Sequence, residues 1–288
     1  MCKIFIFGSS GHLGKFIIKK INSNLAKVHC YSSKYKKKYF NLLDIKTYGV
    51  CSKIGKDDIV IFLSSVSDKN EVNINYQFQK KLNSYSKDFL KKLSAKSCMI
   101  IFLSSVEVFN GTKNGYKSNF KPKPISKYGV LKYDIEKFII KNFGKYLIIR
   151  SGWVITQVNS RNRCIIYNTY TNMLKDECKY AIDNYISLLS IDDLSEFIYK
   201  IINDKISYSG ILHLSTIEKI SRNDLAKLII KNSKNNTLSY KKVMNKDLNF
   251  NLPKNNFLIN DKIDYSLSRN KLIKLIEDKI KNLDKMFV

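Results

Sequence analysis

The stretch KIFIFGSSGHLG at residues 3–14 constrains this chain more than any other. Its first five residues, four of them apolar, read as a buried strand at 3–7. Glycines follow at 8, 11 and 14, and a helical pattern runs from Lys15 to about Ile21. A strand that turns through glycines into a helix lets bare backbone approach a diphosphate. The helix N-terminus then supplies amide donors and a favourable dipole. The spacing is Gly-x-x-Gly-x-x-Gly rather than Gly-x-Gly-x-x-Gly, and a glycine triplet alone is weak. Its place directly after an apolar strand makes it a predicted dinucleotide loop, with Gly8, Ser10, Gly11, His12, Leu13 and Gly14 as the contacts.

The pattern that follows extends this start into a fold. Apolar strands are predicted at 27–31 (KVHCY), 57–63 (DDIVIFL), 98–103 (CMIIFL) and 146–150 (YLIIR), with helices at about 71–93 and 126–142. In the helix at 71–93, Phe78, Leu82, Phe89 and Leu93 fall on related faces. Strands without a polar face, alternating with helices, predict a parallel sheet covered on both sides. The expected class is α/β, a Rossmann-type doubly wound parallel sheet with a smaller C-terminal lobe. After Arg150 the regularity weakens. Helices are predicted at 190–202, 221–231 and about 268–283, a strand at 210–215, and a polar loop or linker at about 231–257. The expected division is a dinucleotide-binding domain over 1–155 and a substrate lobe over 156–288, with some elements of the second stretch returning to the first.

Composition excludes several alternatives. The net charge is +27, but only five of the 51 basic residues are arginine, and the lysines are spread along the whole chain. Nucleic-acid binders concentrate basic residues and favour arginine forks, so the charge reads as a general lysine bias that still attracts anionic ligands. No apolar run reaches the length of a membrane span, and the N-terminal apolar stretch is too short for a signal peptide. The six cysteines form no C-x-x-C pair, so no metal site and no disulfide framework is predicted, and a reducing cytoplasm is expected.

The end of the second strand bears on which dinucleotide binds. An acidic residue there usually holds the ribose 2′-hydroxyl of NAD. Here Ser32, Ser33 and Lys34 stand at that point, followed by Lys36, Lys37 and Lys38. Hydroxyls and ammonium groups suit a 2′-phosphate, so NADP(H) is preferred and NAD(H) is the alternative.

The chemistry is predicted from two further segments. Ser104 and Ser105 end the strand at 98–103, at the carboxyl edge where open α/β sheets place their active sites. In SKYGVLKYDIEKF at 126–138, Tyr128, Lys132 and Glu136 recur every four residues and share one helix face. A phenol beside a fixed ammonium can transfer a proton near neutral pH. A solvated face of a lysine-rich helix would show the same spacing.

Taken together, the glycine loop, the hydroxyl residue after a central strand and Tyr128-x-x-x-Lys132 resemble the extended short-chain dehydrogenase/reductase family. Within it the chain is similar to the dTDP-4-dehydrorhamnose reductases and their relatives. The segment Ser104-Ser105-Val106-Glu107-Val108-Phe109-Asn110-Gly111 resembles their Ser-Thr-Asp-Tyr-Val-Phe-Asp-Gly. Tyr128, Gly129, Lys132 and Glu136 meet their helix motif, and Arg150-Ser151-Gly152-Trp153-Val154 their Arg-Thr-Ser-Trp-Val. LPKNNFL resembles a late Arg-Pro-x-Asn segment, with Leu252 in place of the arginine.

The resemblance implies roles. Tyr128 protonates the ketone oxygen, Lys132 holds the nicotinamide ribose and lowers the phenol pKa, and Ser105 binds the carbonyl oxygen. Leu63, Ser64 and Ser65 contact the cofactor backbone, Asp44 the adenine, and Asn75 matches a family asparagine. Trp153 lines the sugar pocket, and the substrate side comprises Ser105, Val106, Glu107, Tyr128 and Trp153. Arg161 and Arg163 are candidates to meet a diphosphate. Related dehydratases need an acid where this chain has Val106, which argues against dehydration, although Glu107 remains.

The expected reaction is NADPH-dependent reduction of the 4-keto group of a nucleotide-linked 6-deoxysugar, for a surface polysaccharide precursor. The alternatives are an NAD-dependent nucleotide-sugar epimerase and a non-catalytic dinucleotide- or RNA-binding protein. The expected partner is a nucleoside-diphosphate sugar, with no nucleic acid, membrane or metal, and a homodimer stays open.

Overall fold

The computed structural model describes residues 2–21, 28–32, 41–42, 49–65, 69–156, 164–175, 177–203, 208–216, 219–248, 253–263 and 269–288, and the structural statements below concern these. In chain order the elements begin with β1 (Ile4–Phe7), α1 (His12–Ile21), β2 (Val28–Ser32), β3 (Asn41–Leu42) and β4 (Ile59–Phe62). Next come α2 (Lys69–Ile74), α3 (Tyr76–Ser94), β5 (Met99–Ser105), α4 (Lys127–Asn142) and β6 (Tyr146–Ser151). Then follow β7 (Trp153–Ile155), α5 (Ile165–Met173), β8 (Lys179–Ala181), β9 (Tyr185–Ile186), β10 (Leu188–Ser190), α6 (Ile191–Asn203) and β11 (Gly210–Leu214). The chain ends with β12 (Ile220–Ser221), α7 (Arg222–Asn232), β13 (Lys241–Val243), β14 (Asn255–Asn256) and α8 (Arg269–Phe287).

The chain divides into two compact units. The first comprises Met1–Val108, Lys121–Arg150 and Asp192–Leu212; the second comprises Phe109–Phe120, Ser151–Ile191 and His213–Val288. The chain therefore enters the second unit briefly over Phe109–Phe120, and after Ser151–Ile191 it returns to the first over Asp192–Leu212.

In the first unit lies a seven-stranded sheet of order β11-β6-β5-β4-β1-β2-β3. The pairs β1–β2, β2–β3, β1–β4 and β4–β5 are parallel. Neighbouring parallel strands need crossover helices, which cover both faces and make the strands apolar throughout. Accordingly, Ile4, Phe5, Ile6 and Phe7 are all buried. Alternate residues Phe5 and Phe7 join Phe62, Phe89, Phe102, Ile135 and Ile148 in one core cluster. Phe89 of α3 meets the Phe7 ring edge-on at 4.8 Å.

Two helical expectations are corrected. The stretch at 71–93 is not one helix, because Asn75 (φ −135°) separates α2 from α3 and caps α3 by accepting the Phe78 N–H at 3.3 Å. Nor do Phe78 and Leu82 share the buried face with Phe89 and Leu93. They are exposed, while Gln79, Asn83 and Ser86 are buried beneath α3. The reason is polar pairing: Asn83 Nδ2 donates to Leu131 O at 3.2 Å and to Asp134 at 3.1 Å, and Ser86 Oγ donates to Ser64 O at 3.3 Å. A buried amide with partners is tolerated where a bare one would not be.

In the second unit, a core cluster gathers Ile155, Ile166, Tyr170, Leu188, Leu225, Ile229, Ile276 and Ile280 from α5, α7, α8 and short strands. The stretch expected as a loop at 231–257 contains β13, which pairs in parallel with β8, and β14, which pairs in parallel with β9. All six cysteines are free. Among the described residues no helix is long and apolar enough to cross a membrane. Nor does any group of three or more His, Cys, Asp or Glu among them form a metal-binding cluster.

Candidate active site

The strand order reverses between β1 and β4, the kind of point at which open α/β sheets bind ligands at their carboxyl edge. Two loops meet there. Gly8 follows β1 with φ +84°, a backbone region that side chains avoid. A Cβ on Gly8 would stand 2.8 Å from Leu63 C and 2.9 Å from Ser64 N, and one on Gly14 would stand 2.6 Å from the carbonyl oxygens of Gly8 and Ser9. The loop is held from below, since Gly8 N, Ser9 N and the buried Ser9 Oγ all donate to Tyr31 O, at 3.0, 3.1 and 2.7 Å. Ser10, His12 and Leu13 are half-buried and Gly11 is exposed at the start of α1. This cradle of bare backbone at a helix N-terminus fits the diphosphate of a dinucleotide.

The neighbouring strand end carries the reactive groups. Pro122 and Pro124 precede α4, and the helix begins at Lys127 behind the N-cap Ser126, whose Oγ accepts the Gly129 N–H at 3.0 Å. Gly129 lies so close to the turn at 106–108 that a Cβ would stand 2.0 Å from Glu107 O. The helix start is thereby pressed onto the segment that carries Ser105. One turn apart on α4, Tyr128 and Lys132 share a face, with the Lys132 ammonium 5.7 Å from the Tyr128 ring centroid.

Lys132 is 6% exposed, and its Nζ donates to Ser65 Oγ at 2.8 Å and Leu103 O at 3.0 Å. The Phe102 ring lies beneath it at 5.1 Å. Burial lowers its pKa from 10.5 to about 7, and the nearby Glu136 carboxylate partly opposes that shift. Glu136, the third member of the stripe, is fully buried and bound to Arg150. Arg150 Nε donates to Oε1 at 3.0 Å and Nη2 to Oε2 at 2.8 Å. Tyr128 is half-buried and packs on the small cluster of Val72 and Leu131 with Tyr76. Ser105 ends β5, and its Oγ accepts the Glu107 N–H at 3.2 Å.

The structure thus brings Gly8, Gly14, Leu63, Ser64, Ser65, Ser105, Tyr128 and Lys132 to one edge of one sheet. Val106 and Glu107 follow Ser105 directly, in the turn at 106–108. Val106 is 1% exposed, and the buried Glu107 is bound to Lys69 Nζ at 3.0 Å and Ser126 Oγ at 2.8 Å. Asn75 is an exposed helix cap. Trp153 belongs to the second unit, where its backbone N–H donates to Ser187 O at 2.8 Å and the Arg222 guanidinium lies 4.7 Å from its ring centroid. Ser33, Lys34, Lys36, Lys37, Lys38, Asp44, Arg161, Arg163 and Leu252 lie outside the described residues, as does the side chain of Ser32.

Sequence reasoning missed Phe102, Lys69, Ser126 and the pairing of Glu136 with Arg150. For the last there was a signal, because an arginine closing the apolar strand YLIIR needs a buried partner. Lys69 gave none.

Comparison with known proteins places the chain in context. The family model described as RmlD substrate binding domain matches residues 2–267. A dTDP-4-dehydrorhamnose reductase from Bacillus anthracis, solved in complex with NADP, is 21% identical, with 98% of this chain and 100% of that one covered and a TM-score of 0.78. A UDP-glucuronic acid 4-epimerase variant from Bacillus cereus, solved with NAD and a fluorinated UDP-sugar, is 19% identical, with 98% and 99% covered and a TM-score of 0.78. At these identities the likeness is one of fold. The methionine adenosyltransferase 2 subunit beta of Xenopus tropicalis is 26% identical over 144 residues, 49% of this chain and 43% of that protein. The matched part therefore spans less than half the length of that curated relative.

Proposed function

The chain belongs to the RmlD substrate binding domain family, among the extended short-chain dehydrogenases/reductases, and from that premise we propose that it reduces a nucleotide-linked keto-sugar. The specific reading is NADPH-dependent reduction of a 4-keto group on a nucleoside-diphosphate 6-deoxysugar, in the cytoplasm, toward a surface polysaccharide precursor. One observation carries it: the buried Lys132 ammonium held by Ser65 and Leu103 O beside the Tyr128 ring, on the sheet edge that also carries the glycine cradle.

The residues present fit the cofactor. The Gly8–Gly14 backbone would hold its diphosphate, Leu63, Ser64 and Ser65 would flank it, and Lys132 would hold the nicotinamide ribose. The bound dinucleotide supplies the hydride. Ser105 Oγ accepts the Glu107 N–H, which leaves its own proton available to hydrogen-bond the ketone oxygen. Tyr128 gives its phenolic proton to that oxygen as negative charge develops there. The Lys132 charge stabilises the resulting phenolate. NADPH is preferred to NADH on the carboxylate-free sequence after β2, and the Bacillus anthracis reductase crystallised with NADP supports that choice. Trp153 is assigned to the sugar.

The test is NADPH oxidation against a panel of nucleoside-diphosphate 4-keto-6-deoxyhexoses, with NADH as control. Turnover of at least one member, faster with NADPH, supports the reading. A second reading follows from the methionine adenosyltransferase relatives, whose name is that of a subunit: a dinucleotide-binding subunit of another enzyme. Tight NADPH binding with no turnover of any panel member would favour it.

A further inference from the structure

The buried carboxylate of Glu107 stands beside the reactive groups, yet both its oxygens are engaged within the protein. Oε1 accepts from Lys69 Nζ at 3.0 Å and Oε2 from Ser126 Oγ at 2.8 Å. Ser126 Oγ in turn accepts the Gly129 N–H and so caps the helix whose first turn holds Tyr128. Glu107 also acts through its backbone. Its N–H donates to Ser105 Oγ at 3.2 Å, and its carbonyl oxygen occupies the space that a side chain at 129 would need. One residue therefore touches the segment carrying Ser105, the cap of the helix carrying Tyr128, and the start of α2.

We propose that Glu107 is a positioning residue that fixes the Ser105 hydroxyl and the Tyr128 helix in one register, with Lys69 as the counter-charge that orients its carboxylate. The proposal rests on the reductase reading for its kinetic consequence, but its structural part stands without it. A carboxylate bound on both oxygens and 6% exposed is held inward by the protein rather than presented to solvent. It is well placed to set geometry: an ion pair that is also hydrogen-bonded to a cap is directional and resists slippage of the helix start. Reaction geometry is sensitive at this scale, because a displacement of about 1 Å can cost about a hundredfold in rate.

The experiment compares Glu107→Ala, Glu107→Gln, Ser126→Ala and Lys69→Met by two readouts. The first is steady-state kinetics. Glu107→Ala lowers kcat by about 30- to 100-fold with KM for NADPH changed less than about threefold, as expected for lost orientation rather than lost binding. Glu107→Gln still accepts from Ser126 and recovers most of that loss, to within about threefold of wild type, and Lys69→Met loses less still. The second readout is hydrogen exchange by mass spectrometry. Protection falls over residues 126–132 in Glu107→Ala and Ser126→Ala, while α7 in the other unit is unchanged. A kcat within twofold of wild type in Glu107→Ala overturns the proposal, and so does unchanged protection over 126–132. If the wild type turns over no sugar but protection over 126–132 falls as stated, the reductase reading fails and the positioning link stands.

Discussion

The two units are built on different principles. In the first, the central strands β1, β4 and β5 run four, four and seven residues in parallel register, and apolar side chains fill both faces. In the second, strands β8, β9, β10, β12, β13 and β14 are two or three residues each. Strands that short cannot fix their own register, so side chains do it. Asn184 Nδ2 donates to Pro253 O at 2.9 Å and to Asn245 Oδ1 at 3.1 Å, and Ser187 Oγ accepts the Leu258 N–H at 2.8 Å. Asp284 of α8 accepts from Tyr170 OH, Ser233 Oγ and the Lys234 N–H. The first unit is thus specified by continuous apolar pattern, and the second by polar brackets between distant residues.

That contrast can be broken by mutation. The largest effect is expected for Arg150→Met in the first unit, where the Arg150–Glu136 ion pair, with both side chains at 1% exposure or less, would be cut. Leaving Glu136 charged and alone should cost about 3–5 kcal/mol of unfolding free energy, read by urea denaturation. A cost below about 1 kcal/mol would show that water reaches Glu136 and that this part of the first unit is not dry. Asp284→Asn in the second unit comes next, at about 1–3 kcal/mol, because an amide cannot accept three such bonds in the same geometry. Should it cost nothing, the polar brackets do not hold the second unit together and the comparison fails.

Trp153→Ala sharpens the functional side of the same comparison. We expect KM for the sugar nucleotide to rise about tenfold, about 1.4 kcal/mol, while kcat changes little, since uniform binding is removed. An equal fall in kcat would place Trp153 with the reacting groups instead. The smallest effect concerns acid. Burial raises the Asp284 pKa, but the hydrogen bonds from Ser233, Lys234 and Tyr170 outweigh it and leave it below its ordinary 3.8. The stability it contributes is complete above that value and is lost as pH falls through the lowered folded-state pKa. Acid titration of stability should therefore be shallower in Asp284→Asn at the acid end.

The same contrast explains what the sequence reveals and what it hides. The glycine loop, the apolar strands and the Tyr128–Lys132 spacing are local patterns with a period or a motif, and each stands where its pattern puts it. The paired face of α3 was misread because Asn83 and Ser86 look like surface residues until Leu131 O and Ser64 O are known to face them. Nothing in the sequence reveals that Lys69 and Ser126 bind the Glu107 carboxylate. In the second unit, the bond from Ser118 to Asp261 joins residues 143 apart, and no local pattern encodes it.

The proposed reduction depends on the phenol at 128 acting as the acid beside a buried ammonium. Its most direct test is Tyr128→Phe, measured for NADPH-dependent turnover and NADPH affinity in parallel. Loss of about 10²- to 10⁴-fold in kcat with affinity and thermal stability retained is the predicted result. Turnover within a few-fold of wild type would contradict it.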